Sequence, residues 1–139
     1  ASDASRPLDT LVQPAPGPLL ERTLYSAIEV WTEADLSAMH ALWWIAQRRR
    51  APALRDRALQ AASWHIEHIQ PDNATNRPWA MHVFLDLWRT TGLVEARLHA
   101  ETLLHNAEAG AADARGVPGP LIAAIVADSA DALDLMLND

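Results

Sequence analysis

Prolines at 52, 71, 78 and 120 divide residues 19–139 into lengths that suit α-helices, and this punctuation constrains the fold more than anything else in the chain. A proline lacks the backbone N–H and its ring clashes with the preceding turn, so it sits in the first turn of a helix or beyond its end. Between these marks, apolar side chains recur at three- and four-residue spacing, the period of an amphipathic helix. The spacing predicts about six helices. The first spans Leu19–Trp31. The second follows a capping box at Thr32-Glu33-Ala34-Asp35 and runs to about Arg49. The third opens at Pro52 and ends near Gln70, before Pro71. The fourth, Pro78–Thr91, has Thr75 or Asn76 as N-cap and Gly92 as C-cap. The fifth is Val94–Ala109, and after the loop AGAADARGVPGP the last runs from Pro120 to about Leu137. No alternating Val/Ile/Thr run and no Asn-Gly or Asp-Gly turn signals a hairpin of strands. The expected fold class is all-α, with antiparallel helices in a compact bundle or stacked α-hairpins forming one domain over residues 19–139.

Residues 1–18 read differently. They hold four of the nine prolines and no sustained periodicity, so they are expected to form an extended or flexible Pro-rich N-terminal arm. Leu8, Leu11 and Val12 could lay that arm across the domain or a neighbouring subunit.

Missing residue types narrow the chemistry. The chain has no Cys, which excludes thiolate nucleophiles, disulfides and Cys-ligated metals. All eleven basic residues are Arg, so Schiff-base chemistry on lysine and a P-loop lysine are excluded too. A net charge of −7 argues against a nucleic-acid partner, which needs a dense basic surface. Arg48-Arg49-Arg50 is the one basic cluster, and it falls at a helix end where cations suit the negative pole. Apolar runs are too short for a membrane span. The expected location is cytoplasmic. Ala1 fits removal of an initiator Met or of an export signal equally well.

The densest polar and aromatic stretch is Trp64–Phe84, WHIEHIQPDNATNRPWAMHVF. The second and third helices each direct a histidine, His40 and His65, into an apolar stripe. The fourth helix is apolar on nearly every side and therefore belongs at the centre of the fold. Within it His82 and Asp86 stand one turn apart, close enough for the imidazole to satisfy a buried carboxylate. Candidate ligand-binding residues are thus His40, Trp43, His65, His68 and Asp72, with Asn73, Asn76, Trp79, His82 and Asp86. In the functional reading, His40, His65, His68 and His82 converge beneath the loop Gln70–Arg77 and hold a divalent metal or act as general base. In the plainer reading they satisfy backbone carbonyls while Asp72, Asn73 and Asn76 cap helices. His65-Ile66-Glu67-His68 lacks the spacing of zinc peptidases, and Glu95/His99 and Glu101/His105 differ from di-iron pairs. His99 and His105 read as solvated or as members of surface ion pairs. The six tryptophans have two readings: they fill spaces between helices in an Ala-rich core, or Trp31, Trp44 or Trp64, which fall off the main stripes, form an exposed docking patch.

The run WHIEHIQPDNATNRPWAMHVFL with the following ARLHAETLLHN, within residues 64–106, resembles a pattern in small all-helical bacterial proteins of no assigned activity. It also has the general look of a hairpin from α/α-toroid enzymes. The resemblance implies helical hairpins and no particular activity, because a toroid needs many more hairpins than this length supplies. Together these readings expect a non-catalytic helical domain without cofactor, binding a protein partner or forming a homo-oligomer as a subunit of a larger assembly. The alternative is a small metal- or ligand-binding protein, hydrolytic if the histidines act together.

Overall fold

A single long helix stands where the sequence pattern suggests two. The computed structural model describes residues 12–13, 16–24, 27–69 and 77–113, and in it the chain from Ile28 to Arg49 is one helix, α1. No Gly or Pro interrupts this run, so nothing local breaks it at Thr32. Thr32 and Asp35 are buried inside the helix and form no capping box. Ahead of α1, the predicted first helix is replaced by a strap at residues 16–21 and a 3₁₀ turn, Arg22–Leu24.

Three further helices follow. Helix α2 (Pro52–His68) has its proline in the first turn and an extended C-cap, Ile69. Helix α3 (Met81–Thr91) starts three residues later than the proline pattern predicts, because Ala80 takes the left-handed conformation at φ 65°. Its other end is as expected: Gly92, at φ 74°, donates its N–H to Trp88 O at 2.7 Å. Helix α4 (Val94–Asp113) continues beyond Ala109, since alanines around Gly110 outweigh the cost of one mid-helix glycine, about 1 kcal/mol. The described residues therefore hold four α-helices and no strand, against an expectation of about six helices. The predicted helix from Pro120 and most of the Pro-rich arm lie outside the described residues. No described helix is long and apolar enough to cross a membrane.

Small residues decide how closely these helices pack. Ala58, Ala61 and Ala62 are fully buried on α2, and Ala96 and Ala100 on α4. Their methyl groups let the larger Leu36, Met39, Met81, Phe84, Leu85 and Leu103 fill the interior between them. Helix α1 packs mainly on α2, and α3 mainly on α4, with α3 also touching both α1 and α2. The apolar α3 thus has neighbours on several sides, as its composition requires.

Arg50 turns the chain from α1 into α2 with φ 50° and ψ 53°, its N–H reaching the carbonyls of Ala46 and Gln47. Left-handed backbone costs a side chain about 1 kcal/mol and costs glycine nothing. Arg50 is exposed, so its side chain adds little packing. Arg50→Gly is expected to raise stability by roughly 0.5 kcal/mol, read as a higher urea midpoint with an unchanged slope.

Candidate functional site

Two aspartates organise the polar interior. Asp35, on α1, has no solvent exposure. Its Oδ2 lies 2.6 Å from His65 Nε2 of α2, and its Oδ1 accepts the Leu20 N–H at 2.7 Å. The Trp31 indole stacks on His65 at 5.7 Å and donates its own N–H to Leu20 O. Arg57 completes the arrangement by donating to the carbonyls of Gln13, Gly17 and Pro18. Burial draws the Arg57 guanidinium below the usual arginine range, and the Asp35 charge pulls it back. This constellation fixes the strap and seats Leu19 in the core. The Asp35–His65 pair itself is closed to solvent, and among the described residues no hydroxyl is bonded to it.

Asp86, on α3, joins three helices. Its Oδ2 accepts from Trp43 Nε1 of α1 at 2.9 Å and from Arg55 Nε of α2 at 2.8 Å. Its Oδ1 accepts from Arg55 Nη2 at 2.7 Å and from Thr90 Oγ1 at 3.3 Å. Burial alone would raise the Asp86 pKa. The bonds from Arg55, Trp43 and Thr90, with the Arg55 charge, outweigh it and hold the carboxyl below its ordinary value. Arg55 is raised in turn, first by its bonds to Asp86. The expected satisfaction of Asp86 by His82 is thus corrected to Arg55, Trp43 and Thr90, because a bidentate guanidinium is the stronger partner. Beside this junction opens a cleft of about 520 Å³ lined by Trp43, Gln47, Arg55, His82, Asp86, Arg89 and Thr90.

The four candidate metal histidines divide into separate places. His40 and His82 approach each other, with ring centroids 6.2 Å apart, among Trp43, Trp44 and Trp79. His65 belongs to the sealed pair with Asp35. His68 is exposed, stacks on Trp64 at 4.6 Å and bonds Trp64 O through Nδ1. Among the described residues no three His, Asp or Glu side chains are grouped so as to hold a metal ion. Asp72, Asn73 and Asn76 lie outside the described residues. Of the candidates, the cleft brings together Trp43, His82 and Asp86.

Sequence reasoning missed Arg55 and Arg57, which sit at the edge of the α2 apolar stripe and bond residues far away in sequence. It left Trp31 between core and surface, and it misread His99 as solvated. Trp31 is core, at 1% exposure, and His99 is buried with its ring stacked on Phe84 at 4.2 Å. The signal for His99 was its place beside Ala96, Ala100 and Leu103, the inner stripe of α4. No family model, curated protein or solved structure matches the chain.

His99 has a consequence for stability. Burial, and secondarily the neighbouring charge of His65, lower its pKa from 6.5 to about 4. The folded state therefore refuses a proton that the unfolded state accepts below about pH 6.5. Its stabilising contribution is complete above that pH and drains away as pH falls towards 4, by about 3 kcal/mol at about 1.4 kcal/mol per unit. In His99→Gln this part of the pH dependence is expected to vanish, measured as the difference in unfolding free energy between pH 7 and pH 4. Separately, Asp35→Ala leaves His65 and the Leu20 N–H without their acceptor, and a loss of about 3–5 kcal/mol is expected in chemical denaturation. Adding His65→Leu to Asp35→Ala should recover part of that loss, because the orphaned polar ring is then gone.

Proposed function

We propose that this chain is a non-catalytic helical interaction domain, its helices arranged as a compact bundle or as stacked hairpins, that works by associating with another protein or with copies of itself. One observation carries the reading: α4 is apolar on two sides. Its inner stripe, Ala96, Ala100, Leu103 and Ala107, is buried. On the opposite side Val94 and Leu98, one turn apart, remain 53% and 48% exposed. Single exposed apolar residues are ordinary, but a paired outer stripe on a helix already packed inwards is what a second partner covers. Ile28 and Val30 at the start of α1 and Trp44 further along it are exposed in the same manner.

Static light scattering across a concentration series tests self-association. A mass rising above the 15.3 kDa of one copy is expected, and Val94→Glu with Leu98→Glu should return it to one copy while leaving helicity unchanged. A constant single-copy mass at every concentration overturns self-association and leaves a heterologous partner to be sought by the same face.

A second reading, binding of a small ligand, is favoured by the cleft beside Asp86. Its size lies in the range of small-molecule sites, and polar side chains from three helices converge on it. This reading uses Trp43, His82 and Asp86 as a binding wall and does not require a metal.

A further inference from the structure

We propose that the cleft beside Asp86 binds a small organic anion, a carboxylate or a phosphate monoester on a flat apolar body, with Arg89 anchoring the acid group. The proposal rests on the reading of this cleft as a ligand site and adds the ligand's chemical class.

The hydrogen-bond inventory of the lining sets that class. Asp86 is the only acid among the lining residues, and each of its oxygens already accepts two bonds, from Arg55, Trp43 and Thr90. A carboxylate accommodates about four such bonds, so none is left for a ligand donor. Arg55 is bonded to Asp86 and Thr90. The donors still open are those of Arg89 and Gln47, whose side chains make no hydrogen bond or ion pair with any described residue, and the Nη1 of Arg55, whose charge is already paired with Asp86. The cleft therefore offers one unpaired positive charge and an amide, and no free carboxylate to repel an anion.

Charge around the cleft points the same way. The chain as a whole carries −7, yet Gln47 at the cleft is followed directly by Arg48, Arg49 and Arg50. Arg55 and Arg89 line the cleft itself, and Asp56, the acid whose charge acts on Arg55 from the next position, is not part of the lining. The negative pole of α3 accounts for a cation in its last turn, but not for an acid-depleted lining with its one carboxylate closed off. Trp43 and His82, with ring centroids 5.6 Å apart and tilted by 31°, supply an aromatic wall for the body of the ligand. The volume accommodates a single ring with its acid group.

Isothermal titration calorimetry of the whole chain with phenyl phosphate, benzoate and uncharged benzyl alcohol tests this. Saturable one-to-one binding of at least one anion is expected, and the better of the two distinguishes phosphate from carboxylate. Arg89 is exposed, so Arg89→Gln should fold as the parent does and weaken anion binding about tenfold or more. Arg89→Lys should retain part of the affinity, which separates loss of charge from loss of structure. Equal binding of benzyl alcohol, or anion affinity unchanged in Arg89→Gln, overturns the anion class while leaving the cleft a ligand site. Failure of all three probes to saturate overturns both.

Discussion

The fold turns on a carboxylate that has no access to water. Asp35 cannot remain in the interior unless each oxygen is bonded, since an unpaired buried charge costs several kcal/mol. It is satisfied only when the strap supplies Leu20 N–H and α2 supplies His65 at the same time. Three pieces of chain far apart in sequence must therefore be in register before the charge can be buried. The Trp31 indole stacked on His65 and bonded to Leu20 O closes the same circuit from α1. Apolar packing of alanines against leucines is tolerant of small shifts along a helix; a carboxylate with two fixed donors is not. The specificity of the α1–α2 register lies in this pair, and the bulk of the stabilisation lies in the apolar interior around it.

Asp86 repeats the logic nearer the surface with a different outcome. Here the partner is a guanidinium, and the bidentate geometry pairs the charge while leaving the group partly open to solvent, with 16% of the Asp86 side chain and 33% of the Arg55 side chain accessible. Exposed ion pairs contribute little to stability on their own. Tying α1, α2 and α3 to one carboxylate instead fixes the positions of the side chains around it, and fixed side chains are what a binding wall requires. The sealed pair holds the architecture, and the open one shapes a surface.

The sequence made part of this legible. Proline punctuation located α2, the apolar stripe that holds His65 marked its inner face, and Gly92 marked the end of α3. These features act within a few residues, so a local pattern reveals them. The capping-box pattern at Thr32 misled for the same reason: Thr and Asp three apart serve a helix start or a buried polar contact equally well, and only the distant Leu20 and His65 decide between them. Ala80 in left-handed conformation has no sequence signature, which is why α3 begins later than its proline suggests. Among the site residues, a need for a partner at Asp86 was visible from its apolar surroundings. Its satisfaction by Arg55, 31 residues away, was hidden because pairing across helices depends on tertiary register.

The same distinction explains why five histidines that look alike in sequence take up different surroundings. An imidazole facing inward on a helix is a donor or acceptor awaiting whatever the neighbouring helix presents. At His65 the neighbour is a carboxylate, and the ring becomes a structural tie. At His40 and His82 the neighbours are the rings of Trp43, Trp44 and Trp79, and the imidazoles become part of an aromatic cluster. His99 meets the Phe84 face and is kept neutral by burial, while His68 stays in solvent against Trp64. Convergence on a metal would require the α1–α2 and α1–α3 contacts to place their imidazoles at one height along the helices. Instead His65 lies opposite Asp35, more than a turn of α1 away from His40, and that offset of five residues assigns the two histidines to different ends of different contacts.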